Sequence, residues 1–544
     1  MIAVKIECGC GQRYAFDVEP AGQVLAWPVY CPICGADGTN AANQAIANSL
    51  APQPSAELRF QAGVANSRST TLTRFTGADI GRAATTTRKG RNVSRKWAAR
   101  LIGGATVPLL GLVLIAYVQR PTTPRADQGS VSQGAGDDGF PQTLRELNAW
   151  YVEPPAGQNA ATLYLQAFEA LQTGNGSKVP LLGKGILPPP PATVPQAEKS
   201  AMASLLKANS QTLIFLARSM NYEESRYPVD LTRGFEAVFP HLPKLRSAAL
   251  LLELSAVLHA ETHQGKEAAD DVLAILRLGR SLALEPSLLS QSVRTASISI
   301  ALASWEQTLN RTDVPKDSLA RVFQAFAKLE ARETRGEGFD RGLAGERANW
   351  TALLKDPHKL MEVLVVPGIK IPDEERDQLF ARLQKGAELK TERAQLDRVF
   401  DQLMDARKQS FPARLKADAG IQREIAEATA SKLTVLEVLL AGFAGQSARE
   451  AESLARLRLG MISAALEQFR IEHGIYPNDL SDLIPQYFPG PGLDPFSGAP
   501  IRYQKDETGI VLRSVGLQSN ESNSGQQPGQ REKGIVFTVK RHRT

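Results

Sequence analysis

Cysteine is almost absent from this chain. Four occur in 544 residues, Cys8, Cys10, Cys31 and Cys34, and none follows residue 34. So lopsided a distribution excludes a disulfide scaffold and reads as one metal site near the N-terminus. Aromatic residues make up only 6% of the chain and histidine occurs six times, so neither an aromatic binding face nor a histidine-based site is prominent. Basic excess is missing from most of the length as well. Residues 1–100 hold 12 of the 63 basic side chains and 6 of the 57 acidic ones, so the whole net charge of +6 lies there. Charge is also absent from the apolar run 101–118.

That stretch, LIGGATVPLLGLVLIAYV, is a candidate membrane span. At about 1.5 Å rise per residue, 18 residues reach roughly 27 Å, close to the hydrocarbon thickness of a bilayer. Pro108 and its glycines are tolerated in spanning helices, and Trp97 and Tyr117 stand where interfacial aromatics belong. Arg82, Arg88, Lys89, Arg91, Arg95, Lys96 and Arg100 precede the run, whereas Arg120 and Arg125 follow it. The positive-inside rule then predicts a cytoplasmic N-terminus, with residues from about 120 outside the cell membrane. About a hundred residues precede the run, so a cleaved signal peptide is not expected.

The N-terminal pairs Cys8-Gly9-Cys10 and Cys31-Pro32-Ile33-Cys34 are each followed by glycine, which permits the tight turn that aims both sulfurs at one ion. Four thiolates suit structural zinc and leave no open position for catalysis. The polar–apolar alternation of VKIECGCGQRYAFDVEP predicts a short strand on either side of the first pair. The separation of Cys8 from Cys10 by a single residue is shorter than a usual zinc knuckle. Tyr14, Phe16, Trp27 and Tyr30 are needed as the core of so small a module, so nucleic acid is not expected as a partner. The basic stretch after it adjoins the lipid bilayer, whose anionic surface accounts for it.

Length alone implies several modules. The reading is a small β zinc ribbon at 1–50, a basic flexible linker at 51–96, a transmembrane helix at 97–120, a flexible spacer at 121–141, an α-helical ectodomain at 142–449, and an α+β module at 450–544. The fold class is therefore multidomain and mainly α. Residues 245–284 predict a helical hairpin turning at Gly265, with further helices near 287–310, 316–335, 340–356, 374–408 and 420–472. ILPPPPATVP (186–195) interrupts as an extended loop. The hairpin has the Ala-rich spacing of tetratricopeptide pairs, but no 34-residue period is present. His259 and His263, in HAETH, share a helix face four residues apart. Glu261 sits at the wrong offset for a zinc-protease motif, so a helix-end role near the dipole is the expectation.

The C-terminal segment ARLRLGMISAALEQFRIEHGIYPNDLSDLIPQYFPGPGLDPFSGAPIRYQ runs a long helix into Gly474-Ile475-Tyr476-Pro477. The loop that follows contains Asp494, Pro495, Gly498, Pro500 and Tyr503. With these residues it resembles the head of the type II secretion pseudopilin G family over roughly 90 residues. The resemblance implies a helix packed on a small sheet, with GIVLRSVG and GIVFTV as two β runs, and places the protein near secretion or pilus-like assembly. Such heads bind calcium through acidic residues after a Ser-x-Gly. Here Ser514-Val515-Gly516 is followed by a segment whose acids are Glu521 and Glu532, so calcium is not expected. LTVLEVLLAGFA (433–444) faintly echoes a pilin start but is too short to span a bilayer. The overall order of modules resembles large bacterial envelope proteins with an N-terminal zinc ribbon, one transmembrane helix and a pilin-like head.

No catalytic constellation is apparent, so the expectation is a non-enzymatic, single-span envelope protein that acts by binding other envelope or secretion-type proteins. The alternatives are a transmembrane signalling protein with a cytoplasmic ribbon output, and an envelope hydrolase whose site assembles only on folding. The oligomeric state is not legible.

Overall fold

The structure is a computed structural model and describes residues 2–7, 13–18, 41–44, 139–173, 179–183, 185–189, 192–364, 373–429, 445–516 and 534–540. It falls into two units, residues 1–97 and 98–544. In the first, β1 (Ile2–Glu7) and β2 (Arg13–Val18) pair antiparallel, with Ile2 opposite Val18 and Glu7 opposite Arg13. These are the two strands the alternation predicts. They bracket residues 8–12, which carry Cys8 and Cys10. All four cysteines lie outside the described residues, as do the linker 51–96 and the run 101–118. Among the described residues no helix is long and apolar enough to cross a membrane.

The second unit is mainly helical with one small sheet. Four short helices open it: α1 (Leu144–Trp150), α2 (Ala160–Ala170), α3 (Gln196–Ala208) and α4 (Ser210–Ser219). Thr143 starts α1 with a capping box, its hydroxyl accepting from the Glu146 amide while the Glu146 carboxylate accepts from the Thr143 amide. This satisfies two amides the first turn would otherwise orphan. Next come α5 (His241–Glu261) and α6 (Gly265–Arg280), the predicted hairpin turning at 262–264. Helix α5 is apolar on nearly every side because it is buried on nearly every side. Leu245, Leu251, Leu254 and Val257 are all wholly inaccessible. The hairpin packs on α7 (Leu288–Arg311), and α7 in turn on α8 (Lys316–Thr334) and α9 (Glu337–Leu353).

Helices α10 (Pro357–Leu364), α11 (Asp373–Leu383), α12 (Gly386–Arg407) and α13 (Ala413–Thr429) follow, and join α9 in a lobe with its own apolar cluster. Phe339, Trp350, Leu360, Leu379, Leu396 and Phe400 form its centre. The predicted helix over 374–408 is thus two helices, broken at Gln384-Lys385. The described residues of the loop 186–195 form neither helix nor strand, and the Ala192 amide donates to the Pro189 carbonyl (3.1 Å).

The chain ends with α14 (Gln446–His473) and the meander β3 (Arg502–Lys505), β4 (Gly509–Ser514) and β5 (Ile535–Lys540), in the order β3-β4-β5. Ile510 and Leu512 of β4 and Phe537 and Val539 of β5 alternate inward, as period-2 strands require. They meet Leu457, Ile462 and Leu466 of α14 in the same continuous core that holds Leu245, Val272, Trp305 and Phe326. Apolar packing therefore continues without a break across residue 450. Its most extensive helix pairing is α8 with α14. Gly460 allows this approach, since a Cβ there would lie 2.7 Å from the Phe326 ring.

Candidate functional site

The C-terminal module holds the motif residues, and it folds them into two groups. Helix α14 ends at Gly474, whose φ of 76° is left-handed and whose amide caps the Arg470 carbonyl at 2.8 Å. The stop is therefore this glycine, two residues before the Tyr-Pro pair, because a left-handed residue reverses the chain without steric cost only when it lacks a side chain. The chain then folds back. The Tyr476 hydroxyl donates to buried Glu467, two turns up α14, and the Tyr503 hydroxyl donates to the Pro477 carbonyl at 3.0 Å. Gly474, Tyr476, Pro477 and Tyr503 thus meet at one end of α14.

Asp494, Pro495, Gly498 and Pro500 form the second group, a closed loop. The buried Asp494 carboxylate accepts from the Phe496 amide at 2.8 Å and the Val515 amide at 2.7 Å, while its backbone pairs with Gly498 and Ala499. Arg458 of α14 holds the loop by donating to the Leu493 carbonyl at 2.6 Å. Asp494 therefore spends each oxygen on a backbone amide, tying the loop to the end of β4. Among the described residues no group of three or more His, Cys, Asp or Glu could hold a metal ion.

Aliphatic side chains stand uncovered on this module. Ile471, Ile475 (66% exposed), Ile484 and Leu493 are open to solvent. The Tyr487 hydroxyl donates to Glu472 and lies 3.2 Å from His473 Nε2, which folds residues 484–488 onto the end of α14. Ile471, Ile475 and Ile484 are thereby presented at that same end.

The HAETH histidines separate. His259 lies in the last turn of α5 and its Nδ1 meets Asp271 of α6 at 2.8 Å; that hydrogen bond raises its pKa. His263 falls beyond the helix with a φ of 59°. Ser255 lies 3.5 Å from the same Nδ1 that Asp271 uses, so serine and carboxylate compete for one nitrogen and no relay through the ring is formed.

Folding also assembles two polar hubs that sequence reading missed. Buried Glu285 accepts from the Tyr151 hydroxyl (3.1 Å) and Ser290, and lies 3.1 Å from His241 Nε2. His241 stacks on Tyr227 at 4.0 Å. Burial, with Glu285 alongside, pushes the Tyr151 phenol well up. Serine and histidine both address the carboxylate rather than each other, which is the geometry of a packed polar core. Buried Glu450 receives Arg407 in a two-pronged pair (2.9 and 3.0 Å) and Arg414 at 2.9 Å, with Asp340 on the far side of Arg407. Bonded partners in these hubs lie up to 134 residues apart, and no spacing rule links them.

No protein-family model, no curated protein and no solved structure is found to match this chain.

Proposed function

We propose that the chain is a single-span, membrane-anchored envelope protein that works by binding other proteins through its C-terminal module. The observation that carries this reading is the display of Ile471, Ile475 and Ile484 at the end of α14, on a module whose polar motif residues are spent on holding its own loops. Uncovered aliphatic side chains grouped on a rigid element are what a protein-binding surface offers. The anchor is residues 101–118, with the N-terminus cytoplasmic and residues from about 120 extracytoplasmic. On the cytoplasmic side, Cys8, Cys10, Cys31 and Cys34 hold a structural zinc ion. The β1–β2 pairing supports this, because Cys8 and Cys10 fall in sequence between the two paired strands. The pseudopilin-like order of helix, Gly-x-Tyr-Pro turn and meander makes components of secretion or pilus-like assemblies the natural partners.

A photo-crosslinking amino acid placed at Ile475 of the full-length chain, in native membranes, tests the reading. Adducts with secretion-type or other envelope proteins at position 475, and none at Ile186, support it. Adducts formed only from a probe in residues 1–50 would transfer the working end to the cytoplasmic ribbon. Zinc is tested separately by metal analysis of the full-length chain, in which Cys31→Ser together with Cys34→Ser should abolish about one equivalent of bound zinc.

A further inference from the structure

Four cations converge on one face of the helical region, remote in sequence from the C-terminal module. Arg277 and Arg280 lie one turn apart on α6, and Lys328 and Arg332 one turn apart on α8. Arg332 is paired with Glu337 at 3.3 Å. The other three share a single carboxylate, Glu223, in the turn after α4. Lys328 Nζ hydrogen-bonds Glu223 at 3.1 Å. The guanidinium groups do not reach it: Arg277 Nη1 stands 3.8 Å from one Glu223 oxygen and Arg280 Nη2 3.7 Å from the other.

Both arginines are largely sequestered, yet incompletely bonded. Arg277 Nη2 donates to the Met220 carbonyl at 3.2 Å, but Arg277 Nε and Arg280 Nη1 are buried with no acceptor among the described residues. A buried, unanswered donor on a charged group is expensive, and each such case calls for an explanation. Glu223 itself is more than half exposed, so it can swing away into water. Burial, Arg332 and Arg277 together lower the Arg280 pKa, and Lys328 and Arg280 hold the Glu223 carboxyl below its usual range. Both shifts describe a site with more positive charge than its resident carboxylate neutralises.

We propose that Arg277, Arg280 and Lys328, with Arg332 at their edge, form a binding site for a phosphoryl group, for which Glu223 is the resident stand-in. A carboxylate has two oxygens in one plane, and here it leaves Arg277 Nη1 and Arg280 Nη2 beyond hydrogen-bond distance. A phosphoryl group offers three or more oxygens in a tetrahedral arrangement, and so can accept from the lysine and from both guanidinium groups together. The bound group can be free phosphate or the headgroup of a phospholipid, which share this chemistry.

The test is calorimetric titration of the full-length chain in a non-ionic detergent, with inorganic phosphate and separately with dihexanoyl phosphatidylglycerol. Glu223→Gln removes the competing charge from an exposed position and should tighten binding about tenfold. Arg277→Gln combined with Arg280→Gln should abolish binding, while Lys266→Gln, a remote exposed lysine, should leave it unchanged. Tighter binding of the lipid identifies a headgroup site, and binding of phosphate alone identifies a small phosphorylated ligand. The proposal is overturned if neither probe binds Glu223→Gln more tightly than wild type, or if the double arginine variant binds as well as wild type. Thermal melting of each variant separates lost binding from lost folding.

Discussion

The main core and the α9–α13 lobe are both helical, but they are joined to α14 by different forces. Where α8 and the sheet meet α14, the contact is apolar: Phe326, Leu457, Ile462, Leu466, Leu512 and Phe537. Its ion pairs, Arg458 with Glu330 and Lys316 with Glu472, sit at a partly exposed rim, and inside it the polar bonds are neutral, such as Trp305 Nε1 of α7 to Ser463 Oγ at 3.1 Å. Where the lobe meets α14, the contact is ionic, with Arg407 and Arg414 gathered on buried Glu450 and Asp340 paired to Arg407. Packing is non-directional and tolerates small shifts, whereas a desolvated charge pair is stable only in one arrangement. The lobe is thus fixed in orientation by charge, and the sheet is held in place by burial.

Removing Glu450 attacks the ionic joint most directly. Glu450→Ala takes from the buried guanidinium groups of Arg407 and Arg414 the carboxylate they share. The expected loss is about 3–5 kcal/mol, against a smaller loss if the pair were exposed. Limited proteolysis should then cut the lobe before the main core, and simultaneous loss of both would show that the two regions fold as one.

A charge inside the apolar region behaves in the opposite sense. Glu253 of α5 is buried, and burial pushes its carboxyl up to about 7. The folded state therefore holds this proton more tightly than the unfolded chain does. Its contribution is full below the ordinary carboxylate range and is lost as pH rises through 7. The size is about 3 kcal/mol. Denaturation of Glu253→Gln from pH 5 to 9 should show a flatter pH dependence than wild type, and an unchanged slope would exclude this origin.

Gly460→Ala probes the apolar joint by overfilling it. A Cβ against the Phe326 ring should cost about 1–3 kcal/mol and move α8 relative to α14. The smallest expected effect is at the sheet edge. The Glu306 carboxylate and Asn310 of α7 bond Thr538 and Lys540 of β5, in place of a further strand. Asn310→Ala should cost about 1 kcal/mol and raise amide exchange at Lys540 specifically.

Much of the helical frame was legible locally. The hairpin at 241–280 follows from apolar spacing interrupted at His263–Gly265, whereas the end of α14, expected at Tyr476-Pro477, comes two residues earlier at Gly474. The β4 and β5 runs show their period of two. The break within 374–408 had a local signal, Gly386 directly after Gln384-Lys385, which the reading of one continuous helical pattern passed over. The exposure of Ile475 was not legible, because an isoleucine beside a turn reads equally as core. The Glu285 and Glu450 hubs were wholly invisible, since their partners come from separate helices.

What the sequence by itself determined is the type of most of the described elements, because hydrophobic periodicity and glycine turns act over a few residues. What only the tertiary structure decided is which charges became partners and which stayed short of one. Arg407 found Glu450 across 43 residues, while Arg277 and Arg280 were brought within 4 Å of Glu223 without reaching hydrogen-bond distance. The physical reason is range. Local propensity fixes backbone geometry, but desolvation and Coulomb energy depend on the three-dimensional neighbours that packing supplies.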